Sequence, residues 1–272
     1  MEGDRVLTAD SRESWDQNGF FVVRGFTPEE VCRAMTDVVV RVAREAQAET
    51  PLSEVVATTV RGMLVQPEAR RSPRARLPEE HVSKIFKLHR DPLFGGFARD
   101  KRVLDLVEGI LGPDLDCFLS QFIFKNPGAM GQPWHQDAYY FPFDRSPQVG
   151  IWLAITEATL ENGCLHVVPG SHREPVHEHV KPRRPDSNLG YMEIVDHDMS
   201  ASVPVPMQPG DLLVFHSHLM HSSTDNESNA RRAAMVYHYA EAGTKDLAER
   251  KTIVNDWVPV RRGRGWSPSA TR

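Results

Sequence analysis

Five short runs dominate the second half of the chain: CFLSQFIFKN (117–126), GIWLAIT (150–156), CLHVVPG (164–170), DLLVFHS (211–217) and AAMVYHY (233–239). Each is rich in β-branched and aromatic residues, and Gly, Pro, Asn and Asp separate them. Turn residues at this density leave no room for the helical crossovers of a parallel βαβ array. An antiparallel sandwich or barrel is therefore the expected core.

Ahead of these runs the pattern is different. FFVVRGF (20–26) follows Asn18-Gly19 and reads as a strand. Thr27-Pro28-Glu29-Glu30 then offers an N-cap, a proline at the first helical position and acids in the first turn. Val31, Met35, Val38, Val39 and Val42 follow at helical spacing. A second helix is predicted after Asp100, with Val103, Leu104, Val107, Ile110 and Leu111 on one side and Gly112-Pro113 as its stop. Between the two, Ala46 to Glu80 has no clear period and reads as a long mobile segment with room for one short helix. Ser171 to Ser202, polar and rich in Pro and His, interrupts the strand series and is too long for a simple hairpin. The chain is expected to be mostly β with flanking α, its helices packed outside the β core.

Composition narrows the partners. The net charge is −5, which gives no basic footprint for nucleic acid. No run approaches the ~18 apolar residues of a membrane helix, and MEGDRVLTAD places acids where a secretory signal carries an apolar stretch. A cytoplasmic protein without membrane or nucleic-acid partners is expected. Cys32, Cys117 and Cys164 are far apart and odd in number, which argues against a disulfide framework and against a thiolate zinc site. Any metal must rely on His and carboxylate.

Trp134-His135-Gln136-Asp137 contains such a pair, because residues i and i+2 on a strand point to one face. His135 and Asp137 would supply two ligands of a facial 2-His-1-carboxylate site, which suits Fe(II) with open positions. An HxD tripeptide alone is weak evidence, since the same residues occur together on many exposed strands. A third ligand has to come from far along the chain, and the segment 209–221 offers His216, His218 and His221. Spacing does not choose among them. Farther on, Arg231-Arg232 opens another apolar strand, and a guanidinium entering a barrel needs an anionic partner, most naturally a bidentate carboxylate.

These residues bring a family into view. The chain resembles the phytanoyl-CoA dioxygenase family of Fe(II)/2-oxoglutarate-dependent oxygenases over nearly its whole length. The matching segments are NGFFVVRGF with TPEE, QFIFKNPG, WHQD, GIWLAITEATLENGCLHVVPGSH, PGDLLVFHSHLMHSSTDN and RRAAMVYHY. The resemblance implies a double-stranded β-helix (jelly-roll, cupin-like) core in a single domain over 1–272, with a helical part over about 1–113 and the core over about 114–260. It makes His135, Asp137 and His221 the iron ligands. It makes Arg232, eleven residues after His221, the partner of the distal carboxylate of 2-oxoglutarate. Looser matching puts Lys84, Gln121, Gln136 and Trp152 along the co-substrate pocket, though each could equally be ordinary barrel packing or surface. The implied reaction uses Fe(II), 2-oxoglutarate and O2 to oxidise a small organic molecule, releasing succinate and CO2. In related halogenases a small residue replaces the carboxylate ligand, so Asp137 favours hydroxylation over chlorination. Desaturation, epimerisation and ring closure share the same ligand set.

Substrate identity is not written in these motifs. The segments 46–80 and 171–202 are the candidates to cover the site. Arg70, Arg71, Arg74 and Arg76 could meet an acidic substrate, although a solvated loop is the plainer reading. Tyr139, Tyr140, Phe141 and Phe143 could wall the pocket. His172, His177, His179 and His197 lack a carboxylate at fixed metal-site spacing and read as polar loop residues. Two other functions share the fold: a cupin-like metal enzyme that does not use 2-oxoglutarate, and a catalytically silent binding protein. Four intact convergent polar groups count against the second, and Arg232 discriminates the first. No heptads speak to oligomeric state.

Overall fold

The computed structural model describes residues 7–49, 57–69, 75–185, 187–248 and 252–263. In chain order these form α1 (Ala9–Asn18), β1 (Phe20–Val23), α2 (Glu29–Glu49), β2 (Thr58–Val60), β3 (Met63–Pro67), β4 (Val82–Phe86), α3 (Pro92–Ala98), α4 (Lys101–Leu111), β5 (Leu115–Lys125), β6 (Val149–Ala154), β7 (Leu165–Val167), β8 (His179–Val180), β9 (Glu193–Ile194), β10 (Val203–Val205), β11 (Leu212–His216), β12 (His221–Ser223), β13 (Arg232–Glu241) and β14 (Val258–Arg261).

A large antiparallel sheet runs β1-β11-β6-β13-β5-β4-β3-β2, with β14 also pairing with β5. A second sheet, β10-β7-β12, packs against one of its faces, and neither sheet closes on itself. This is the expected jelly-roll core. Strand periodicity explains why the central strands read as unbroken apolar runs. In β6, Val149, Ile151 and Leu153 face the helices, while Trp152 and Ala154 face the small sheet. Both faces are covered, so neither tolerates solvated polar residues. Strand β13 divides the same way: Ala233, Met235, Tyr237 and Tyr239 face the helical layer, and Ala234 and Val236 point between the sheets. Tyr237 and Tyr239 donate their hydroxyls to the Phe94 and Ala98 carbonyls at 3.0 and 3.1 Å, fastening α3 to the sheet.

The helices begin and end by local chemistry. Asp91 and Asp100 cap α3 and α4 by accepting from Leu93 N and Arg102 N, and Gly112 closes α4 with φ +93°. The predicted helix after Thr27-Pro28 is present, and it runs on to Glu49. Helix α1 carries no strong apolar stripe and was not anticipated; Trp15 is its buried residue.

The reading of 46–80 as a long mobile segment with room for one short helix is corrected where the chain is described. Its first residues complete α2, β2 and β3 form a hairpin, and Pro78–His81 is a 3-10 turn. Burial alternates along Met63–Pro67, but the sequence Met-Leu-Val-Gln-Pro does not, and pairing with β4 stabilises the strand. Residues 50–56 and Arg70, Arg71 and Arg74 lie outside the described residues, while Arg76 is exposed. The strand expected within 20–26 is β1, which pairs with β11, and β4, which was not anticipated, pairs with β5. No helix among the described residues is long and apolar enough to cross a membrane.

Candidate metal centre

Backbone pairing brings the two distant histidines together. His135 and His221 form an isolated antiparallel bridge, each amide donating to the other's carbonyl at 3.0 Å. The approach depends on Gly131, whose Cα lies so close to the Ser223 carbonyl that a Cβ would collide with it. His135 lies in this bridge rather than in a strand, and Asp137 opens a 3-10 turn. The intervening Gln136 is extended (φ −114°, ψ 132°), so the alternation expected of a strand still holds locally and sends His135 and Asp137 to one side.

The ring geometry fixes which nitrogens can bind a cation. His135 Nδ1 donates to the Pro133 carbonyl at 2.8 Å, and His221 Nδ1 donates to the Leu219 carbonyl at 2.9 Å. A carbonyl only accepts, so both rings carry the proton on Nδ1 and turn the Nε2 lone pair inward. Asp137 Oδ1 lies 3.5 Å from His135 Nε2 and 3.8 Å from His221 Nε2. An ion with bonds of about 2.1 Å can touch both atoms of such a pair. Burial disfavours the Asp137 charge, yet the carboxyl is held well below its usual range, and the donor consistent with these tautomers is His238 Nε2, at 2.7 Å from Oδ2. Burial pushes His221 down to about 4, leaving it neutral at physiological pH. Two imidazole lone pairs and a carboxylate on one side of a cavity match the donor set of a facial iron site.

His238 and Gln132 complete the surroundings and were not anticipated. His238 Nε2 donates to Asp137 Oδ2 at 2.7 Å. Its ring is wedged among Phe118, Phe141 and Phe215. Arg232, Ala234, Val236 and His238 share one face of β13, so counting by twos from Arg232 would have found it. Gln132 has no comparable signal; its Oε1 accepts from Lys84 Nζ at 3.2 Å, which turns its amide Nε2 toward His135 Nε2 at 2.9 Å.

The triad opens into a cavity of about 290 Å3 that also meets Lys84, Gln121, Trp152 and Arg232. Arg232 is 2% exposed; its Nε donates to the Gly163 carbonyl at 3.2 Å, while Nη1 is buried with no hydrogen-bond partner. Trp152 lies 5.6 Å from the guanidinium, and its Nε1 is also unpartnered. Lys125, paired with Arg232 across β5 and β13, joins Lys84 and Arg232 as a third buried cation; sequence reading missed it, although it shares a face with Gln121. Burial pushes Lys84 down to about 8 and Arg232 to about 10.

Other expected residues are distributed differently. Gln136 is absent from the cavity wall: its amide donates to the Pro175 and His218 carbonyls and accepts from His177 N. The alternation that aims its neighbours inward turns it outward. Of the aromatic set, Tyr140 and Phe141 wall the cavity, Tyr139 stacks on His179 at 4.2 Å, and Phe143 packs with Phe118 and Trp257. His216 and His218 stand apart from the triad, joined by a bond from His218 N to His216 Nδ1, and Arg231 donates to Asn126 Oδ1.

A profile of the phytanoyl-CoA dioxygenase (PhyH) family matches residues 15–234. The peroxisomal phytanoyl-CoA dioxygenase of Bos taurus is 28% identical over 246 residues, covering 88% of this chain and 70% of its own. Phytanoyl-CoA dioxygenase domain-containing protein 1 of Mus musculus is 35% identical over 173 residues, 61% of this chain and 59% of its own. Among solved structures, EctD from S. alaskensis in its apoform superposes with a TM-score of 0.66 at 19% identity, over 94% of this chain and 85% of its own. EvdO2 from Micromonospora carbonacea var. aurantiaca, complexed with 2-oxoglutarate, gives 0.64 at 23% identity, over 94% and 100%.

Proposed function

The chain belongs to the phytanoyl-CoA dioxygenase family, whose members are Fe(II)- and 2-oxoglutarate-dependent oxygenases, and on that premise we propose that it hydroxylates a small organic molecule at the His135–Asp137–His221 centre. A carboxylate, an acyl-CoA and a natural-product intermediate are the candidate substrate classes. We take 1–272 as one catalytic domain, acting in the cytoplasm without nucleic-acid or membrane partners.

One observation carries the co-substrate assignment: a guanidinium buried in the same cavity as the triad, with Nη1 left unpaired. An uncompensated buried charge is costly, and the distal carboxylate of 2-oxoglutarate is the anion that would relieve it. With iron, 2-oxoglutarate and O2 bound, the site would supply oxidative decarboxylation to succinate and CO2 coupled to oxidation of a substrate C–H bond.

The protein's part is binding, orientation and exclusion of water. His135 and His221 would hold iron through Nε2, their rings locked by the Pro133 and Leu219 carbonyls. Asp137 would bind through Oδ1, since His238 engages Oδ2. Lys84 and Gln121 would flank the co-substrate, and Trp152 would lie against its chain. Phe86, Leu119, Phe141 and Val254 give the remaining cavity an apolar wall for the substrate.

Anaerobic addition of Fe(II) and then 2-oxoglutarate should raise a visible metal-to-ligand charge-transfer band that is absent in His135→Ala. Arg232→Ala should weaken 2-oxoglutarate binding about 10- to 100-fold, the loss of a charge-assisted contact. Turnover and co-substrate affinity unchanged in Arg232→Ala would instead mean a cupin-like enzyme that works without 2-oxoglutarate.

A further inference from the structure

We propose that Glu174, His177 and His197 form a second divalent-cation site, suited to zinc, that clasps the two ends of the 174–197 insertion and braces the iron-binding segment through Gln136. Glu174 precedes His177 by three residues, and the fold brings His197 to the same carboxylate. Glu174 Oε2 lies 2.9 Å from His177 Nε2 and 3.2 Å from His197 Nε2, and one ligand atom from each residue lies within 4.8 Å of the others. None of the three belongs to the iron triad.

The donor set suits a cation. Glu174 meets His177 at Nε2, and Asp196 Oδ1 stands 3.6 Å from His177 Nδ1, too long for a hydrogen bond but close enough to add negative charge beside the cluster. With the His177 and His197 protons on Nδ1, both Nε2 lone pairs face the Glu174 carboxylate, and a divalent ion fits among the three groups. Zinc bonds of about 2.0 Å give a tetrahedron with edges of about 3.3 Å. The Glu174–His197 separation already fits this, and the Glu174–His177 pair would open by about 0.4 Å. All three residues are only partly buried, so water can reach a fourth position.

The ligands sit at the base of the insertion, where the chain leaves and rejoins the jelly roll around the β8–β9 hairpin. An ion joining residues 174 and 197 would close that loop and order it, as metal clips on long loops do. The order would reach the iron centre. His177 N donates to Gln136 Oε1 at 2.8 Å, Gln136 N donates to His179 Nε2 at 3.0 Å, and Gln136 lies between ligands His135 and Asp137.

The test is zinc stoichiometry in the full-length protein, stripped with chelator, titrated with ZnCl2 and analysed for bound metal after gel filtration. Zinc also enters His2Asp sites, so His135→Ala/His221→Ala isolates the second site. We expect about two equivalents in the wild type and about one in that background. Adding Glu174→Gln, which keeps the side-chain shape, should weaken the remaining zinc at least about tenfold. Zinc should also slow proteolysis within 175–196 in the same background. Should that background fold poorly, His177→Asn/His197→Asn in the otherwise wild-type chain should drop stoichiometry from about two to about one. A single equivalent in the wild type, or zinc retained undiminished after Glu174→Gln and after His177→Asn/His197→Asn, would overturn the proposal and leave a hydrogen-bonded ion-pair cluster.

Discussion

His238 donates a 2.7 Å hydrogen bond to the outer oxygen of Asp137, leaving Oδ1 as the atom that faces both triad histidines. Because the carboxylate only accepts, the His238 proton sits on Nε2, and Nδ1 is buried without a partner. One ring thereby chooses which carboxylate oxygen is offered to the metal.

Loss of that bond should be felt at the metal. His238→Ala is expected to lower Fe(II) affinity about 10- to 100-fold, the usual effect of removing a residue that orients a ligand. Anaerobic Fe(II) titration at saturating 2-oxoglutarate, followed by the charge-transfer band, measures it. An unchanged iron affinity would mean that His238 only fills space.

Co-substrate binding should weaken in alkali. Burial holds Lys84 near pKa 8, so the ammonium is charged below that pH and neutral above it. Burial pushes Glu68, coupled electrostatically to Lys84 and Lys125, up to about 7, so it gains negative charge as pH rises. Both changes disfavour a dianion, and the apparent Kd for 2-oxoglutarate should rise toward about tenfold per pH unit above pH 8. Lys84→Met should weaken binding at pH 7 and flatten the upper limb; a profile identical to wild type would remove Lys84 from the site.

Metal-free protein should be acid-labile. Burial pushes His221 down to about 4 and His216 to about 3, whereas both titrate near 6.5 in the unfolded chain. Between those values the unfolded state binds more protons, so stability falls as pH drops below 6.5 and stops falling once the folded-state groups also titrate. Each histidine should remove on the order of 2 kcal/mol between pH 7 and pH 5. Urea midpoints at the two pH values test this. Equal midpoints would contradict it.

Gly131→Ala should disable the centre without touching a ligand. The new methyl would strike the Ser223 carbonyl and push apart the segments that carry His135 and His221. Overpacking of this kind costs about 1–3 kcal/mol, and iron binding should fall with stability. A variant with wild-type melting temperature and iron affinity would show that the backbone approach is dispensable.

The sequence by itself determined the antiparallel core, the helix after Thr27 and the Asp100-capped helix, and the residue types of the centre. Those features are local: strand runs bounded by turns, caps beside apolar stripes, and a His-x-Asp whose spacing aims two groups together. The ordering of Thr58–Pro67 was hidden, because three- and five-residue strands acquire stability from neighbours rather than from their own pattern. Gln136 went the other way: its neighbours' alternation turned it out of the cavity and onto the insertion. Tertiary structure alone paired His135 with His221, put His238 behind Asp137, and brought His197 to the local Glu174–His177 pair. Long-range meetings of this kind depend on sheet register and on the close approach at Gly131, and neither is encoded in any short stretch of chain.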